Sequence, residues 1–167
     1  MNDQARERSK CSLAVAVLQS WGALRLRANG LSMLPTLWPG DLLTIQAKTS
    51  EQVEAGDIVL YAREGRFFVH RVVSKSSRGG QVFVMARGDC MSQEDPSVCE
   101  TELLGTVTEI RRRGSVLAPT PKLPLFHMLF ACVLCHWSFF RRVALHWHAR
   151  GADTDAQFKV GVGEAAL

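Results

Sequence analysis

Apolar and polar residues alternate through the middle of the chain. In residues 22–28, "GALRLRA", Leu24 and Leu26 fall on one side and Arg25 and Arg27 on the other. That period of two is the mark of a half-buried strand. Residues 41–47, "DLLTIQA", predict a second strand. Residues 57–73, "DIVLYAREGRFFVHRVV", predict a hairpin, with β-branched and aromatic residues on both arms and Glu64-Gly65 at the turn. Residues 81–87 and 103–112 complete five or six strands. Short strands separated by Gly-Asp turns predict a mainly β fold, a compact antiparallel and barrel-like sheet rather than βαβ units.

The flanks differ in pattern. Residues 1–20 predict a short helix, with Ala, Leu and Val following a charged start. Its apolar run, residues 11–18, falls well short of the about 20 residues a membrane span needs. The mixed-charge start does not read as a cleavable signal. Residues 21–113 form the β domain. Residues 114–150 open with a linker punctuated by Pro119, Pro121 and Pro124, then turn apolar. Residues 151–167 are Gly/Ala-rich and read as a loose tail.

The apolar stretch, residues 123–140, reads "LPLFHMLFACVLCHWSFF" and runs into Arg141 and Arg142. Its 18 residues predict an apolar C-terminal helix at the lower limit for a span. The "VALHWHAR" beyond it has an interfacial composition. The expectation is a membrane-associated or re-entrant helix. A helix packed on the β domain of a cytoplasmic protein is the alternative.

Bulk composition narrows the classes. With 167 residues, 47% hydrophobic and 22% charged, the chain suits one globular domain and a short appendage. A net charge of +4 permits an anionic membrane surface as partner. It is too weak to argue for nucleic acid, and none is expected. Five cysteines form no small-domain disulfide framework. Cys132, Cys135 and His136 match a haem-attachment spacing, but such a match arises easily by chance in an apolar helix. No cofactor and no metal is expected.

The candidate chemistry begins at Ser32, in "GLSMLPTLWPGD". A serine hydroxyl needs a base to become a nucleophile, and His is the usual base near neutral pH. The β-rich region holds one histidine, His70, 38 positions later in "FFVHRVV". Alternation puts Phe68, His70 and Val72 on one largely apolar face. A lone His there is more often a core residue satisfied by a backbone carbonyl. A triad also needs an acid, and Asp89 and Asp95 both lie in "ARGDCMSQEDPSV". Each also suits a turn.

The ordered boxes "SMLPTLWPGDLL", "GDIVLYAREGRFFVHRVV", "RGDCMSQEDP" and "LLGTV" resemble the type I signal peptidase superfamily, which includes the LexA-type self-cleaving repressors. Most members carry a lysine base on the hairpin. Here the matching place reads "VHRVV", and no lysine lies between Ile58 and Val73. This resembles the Ser-His branch of the endoplasmic reticulum, archaea and some spore-formers.

The resemblance covers roughly residues 28–108 and implies a leader- or signal-peptide endopeptidase acting through an acyl-enzyme. Ser32 matches its nucleophile and His70 its general base. Asp89 matches a conserved acid, and Asp95 the acid usually assigned to the triad. Gly30, Met33, Leu34 and Pro35 are the expected substrate-binding residues, with Leu37 adding to an apolar floor. Gly30 carries no side-chain donor, which leaves the second oxyanion donor open. The implied partners are a peptide or preprotein and a membrane surface. Two alternatives stand beside this: a non-catalytic peptide-binding domain of the same fold, and a LexA-type self-cleaving protein. The stretch before the first strand is too short for the latter's helix-turn-helix.

Overall fold

In the computed structural model of the chain, residues 3–121 are described. The elements are α1 (Asp3–Trp21), β1 (Ala23–Arg27), β2 (Leu42–Ala47), β3 (Ile58–Arg63), β4 (Arg66–Arg78), β5 (Gln81–Arg87), β6 (Leu103–Arg112) and β7 (Ser115–Leu117). The predicted apolar helix at residues 123–140 lies outside the described residues. No helix among the described residues is long and apolar enough to cross a membrane.

Three of the strand connections are two-residue turns. Glu64-Gly65 joins β3 to β4, Gly79-Gly80 joins β4 to β5, and Arg113-Gly114 joins β6 to β7. Both residues of each turn have positive φ. That is the turn whose twist matches two right-twisted strands, and glycine adopts it without a Cβ penalty.

The strands form one antiparallel sheet in the order β1-β2-β6-β3-β4-β5, with β7 added to β6. Strand β6 is its hub. Its first residues pair with Val59–Tyr61 of β3, most of its length pairs with β2, and its end pairs with β7. The end strands β1 and β5 do not pair, so the expected barrel-like closure is corrected to an open sheet. Helix α1 provides the physical reason. Ala14 and Leu18 pack on Leu24, Leu43, Ile45, Ile58, Leu60, Val107 and Ile110, covering an apolar face that closure would otherwise bury.

A second cluster lies on the other face: Val53, Val59, Tyr61, Val72, Val84, Ala86, Val98 and Leu103. Strand β3 therefore contributes to both cores. Ile58 and Leu60 face one, Val59 and Tyr61 the other. This explains its unbroken apolar run "IVLY", since a strand covered on both sides has no polar face to show.

Gly105 marks a tight crossing within β6. It pairs with Ala47 and with Leu60, and a Cβ there would meet the Gln46 backbone carbonyl. Backbone cannot yield as a side-chain tip can. Gly105→Ala is expected to cost about 3 kcal/mol or more, read as a fall in the urea midpoint.

Candidate active site

The loop between β1 and β2 is closed at its neck. The Ala28 N–H donates to Asp41 O and the Gly40 N–H to Ala28 O, both at 2.8 Å. Inside, the chain makes a helical turn, with the Leu37 N–H donating to Met33 O at 2.9 Å. Met33 and Leu37, four apart, enter the first core, and Leu34 packs with Cys90, Leu31 and Trp38. The turn anchors on both sides and leaves Ser32 half-buried at its start.

Charge fastens the far end of the loop. The Asp41 carboxylate, almost wholly buried, accepts from the Trp38 N–H at 2.8 Å and from Arg112 Nε and Nη2 at 2.9 and 2.7 Å. Arg112 Nη2 also donates to Thr36 O at 2.8 Å. The Gly-Asp that reads as a turn in the sequence is thus also an ion-pair anchor to β6.

His70 lies on the strand face that alternation predicts. Its ring sits 6.2 Å from the rings of both Tyr61 and Phe68, and the residue is buried. Its Nε2 lies 2.9 Å from Ser32 Oγ and its Nδ1 2.5 Å from Asp95 Oδ2. An ionised carboxylate only accepts, so in the neutral ring Nδ1 carries the proton. Nε2 is then left with its lone pair toward the Ser32 hydroxyl.

Asp89 is directed elsewhere. Its carboxylate accepts from Arg71 Nε and Nη2, both at 2.8 Å, and from Thr36 Oγ1 at 2.5 Å. Arg71 follows His70 on β4 and so leaves the strand on the opposite face. Of the two acids expected at the site, Asp95 meets His70, while Asp89 braces the nucleophile loop through Thr36 and Arg71. Arg71 Nη1 further donates to Gly56 O at 3.0 Å and Thr120 O at 2.6 Å.

The expected substrate-binding residues divide. Met33 and Leu34 are buried within the protein core, and Pro35 is buried beside them. They set the loop's shape, and their side chains present little surface. Gly30 is exposed, and a Cβ on it would stand 3.9 Å from Ser32 Oγ. Space beside the hydroxyl is therefore open on that side.

Several residues at the site escape a reading of the sequence. A Cβ on Gly88 would fall 2.6 Å from Ser32 O. Its absence lets the loop after β5 dock on the nucleophile turn, where the Cys90 N–H donates to Ser32 O at 2.7 Å. The period-two pattern of β4 signals that Arg71 opposes His70, but nothing local names its partner. Arg112 and Thr36 carry no signal at all.

Strand β3 supplies two further groups. Burial, and then the nearby Asp95 carboxylate, push the Tyr61 phenol above its usual range. Arg63 pairs with Glu102, Nε to Oε1 at 2.6 Å and Nη2 to Oε2 at 2.7 Å. Those bonds hold the Glu102 carboxyl down to about 2, from an ordinary 4.5, with help from the Cys99 N–H and thiol. A depressed acid stabilises the fold fully above its unfolded pKa and loses that contribution as pH falls through the folded one. Between about pH 4.5 and 2, wild type should therefore lose stability faster than Glu102→Gln. Urea midpoints measured across that window check it.

An open antiparallel β sheet carrying a hydrogen-bonded Ser-His-Asp chain on a braced turn defines a hydrolase-like class of site. The chain belongs to the peptidase S24-like family, whose model matches residues 3–108 and so takes in Ser32, His70, Asp89 and Asp95. No curated protein matches it.

Proposed function

We propose that this chain is a serine endopeptidase of the signal-peptidase kind, which removes a leader or signal peptide through an acyl-enzyme. The observation that carries the reading is the continuous contact from Ser32 Oγ through His70 to Asp95. Ser32 Oγ attacks the scissile carbonyl carbon while His70 Nε2 takes its proton. Asp95 keeps the ring's tautomer and balances the imidazolium that forms. His70 then hands the proton to the leaving amine. In the second half, a water gives a proton to His70 and attacks the ester, and Ser32 leaves with the proton restored.

The Ser32 backbone N–H is a natural oxyanion donor. The substrate is an extended peptide paired to a strand edge. The open side at Gly30 suits small side chains near the scissile bond. A histidine in place of a lysine supports the Ser-His branch of the signal peptidases. By the same resemblance, the substrates are preproteins met at a membrane surface.

The test compares mature protein N-termini in cells carrying wild type and Ser32→Ala. A set of uncleaved leaders confined to the variant is the expected result. Identical N-termini in both would overturn the proposal.

A further inference from the structure

The turn after β5, residues 88–91, is tied down residue by residue. The Met91 N–H donates to Gly88 O at 2.9 Å, which closes it. Gly88 itself sits against the Ser32 backbone. Arg71 clamps the Asp89 carboxylate with two bonds. The Cys90 N–H donates to Ser32 O at 2.7 Å, and the Cys90 side chain packs with Leu34. Three residues of the turn are thus fixed to the nucleophile loop or to its brace. The fourth, Met91, is 49% exposed.

Met91 also lies beside the nucleophile. The point where a Cβ on Gly88 would stand is 2.7 Å from Met91 Cγ and 3.0 Å from Ser32 Cβ. Two atoms that flank one point so closely are near neighbours. None of the other exposed large apolar side chains among the described residues lies in either loop at Ser32. Core packing does not explain a methionine here, since Met91 belongs to none of the three apolar clusters. The surrounding loop, "GDCMSQED", is otherwise polar or charged apart from Cys90 and Gly88. An unbranched thioether on a fixed turn suits a contact with apolar partners of varied shape. Gly30, by contrast, borders the Ser32 hydroxyl, so the open side there and Met91 adjoin different parts of the nucleophile.

We propose that Met91 is a specificity-determining residue: its side chain receives an apolar side chain of the leader peptide within a few residues of the scissile bond. The inference rests on the peptidase reading and names what that site selects. The selection acts through binding, since a thioether offers no group to the proton transfers between Ser32 and His70.

The test uses the full chain as wild type, Met91→Leu and Met91→Lys, with synthetic leader peptides. Each position from three before to two after the scissile bond is set in turn to leucine or to glutamate. At one position wild type should favour leucine by about tenfold in kcat/KM, carried mainly by KM. Met91→Leu should keep that preference. Met91→Lys should lose it there, with glutamate equal to leucine or better, and keep the wild-type pattern elsewhere. A Met91→Lys profile that matches wild type at every position would overturn the inference. If wild type cleaves nothing, or Ser32→Ala cleaves equally well, the peptidase reading has failed instead. Fluorescence anisotropy of the same peptides on Ser32→Ala, with and without Met91→Lys, then decides the matter. A leucine preference in binding that the lysine removes supports the contact at Met91, and identical binding profiles overturn it.

Discussion

Ser32→Ala should lower kcat on a leader peptide by about 10⁴-fold or more while leaving the fold in place. The alanine loses one hydroxyl from a half-buried turn whose anchors are Met33, Leu34 and Leu37, so its thermal midpoint should stay close to wild type. His70→Ala should cost a similar factor, since neither a serine without a base nor a base without a serine attacks a peptide. The double variant should be no worse than either single one, because the two act as a unit. Asp95→Asn should cost about 10³–10⁴-fold by disturbing the tautomer that presents Nε2 to Ser32. Single-turnover assays at high enzyme concentration measure all four. Additive losses from Ser32 and His70 would mean that the 2.9 Å contact between them does not serve catalysis.

Asp89→Ala should destabilise the protein by about 3–5 kcal/mol, because it strands a buried guanidinium. The Asp89 and Arg71 side chains are only 2% and 10% exposed, and two parallel bonds join them. Removing one partner of such a pair leaves the other's desolvation uncompensated. Replacing both with apolar residues of similar volume, Asp89→Leu with Arg71→Met, should recover much of the loss. Under conditions where Asp89→Asn stays folded, its kcat should remain within about tenfold of wild type. That outcome separates a bracing acid from Asp95. Urea denaturation with parallel kinetics reads both quantities, and a kcat loss as large as that of Asp95→Asn would return Asp89 to the chemistry.

Much of the secondary structure is legible because its cause is local. The β3–β4 hairpin follows from apolar periodicity on either side of Glu64-Gly65. The limits of that reading are also physical. Strand β4 continues through Ser74–Arg78 as a polar, exposed ribbon paired to β5. Its hydrophobic pattern ends near Val73, where the pairing register shifts, so the extension is silent in the sequence. Strand β7 is three exposed residues within the stretch that reads as linker, with no alternation to betray it. The open sheet differs from the expected barrel because the helix covering it is a long-range partner.

Sequence alone determined most of the strand segments, the Glu64-Gly65 turn, and the presence of a serine, a histidine and two acids in an order that resembles a peptidase. These depend on side-chain period and on residue chemistry, which travel with the chain. Tertiary structure decided which acid meets His70, and it placed β6 between β2 and β3. It also paired Arg71 with Asp89 and Arg112 with Asp41, 18 and 71 positions apart. Such pairings form only when distant segments are brought together by burial of the two cores. No local pattern can specify the direction in which a loop side chain then points.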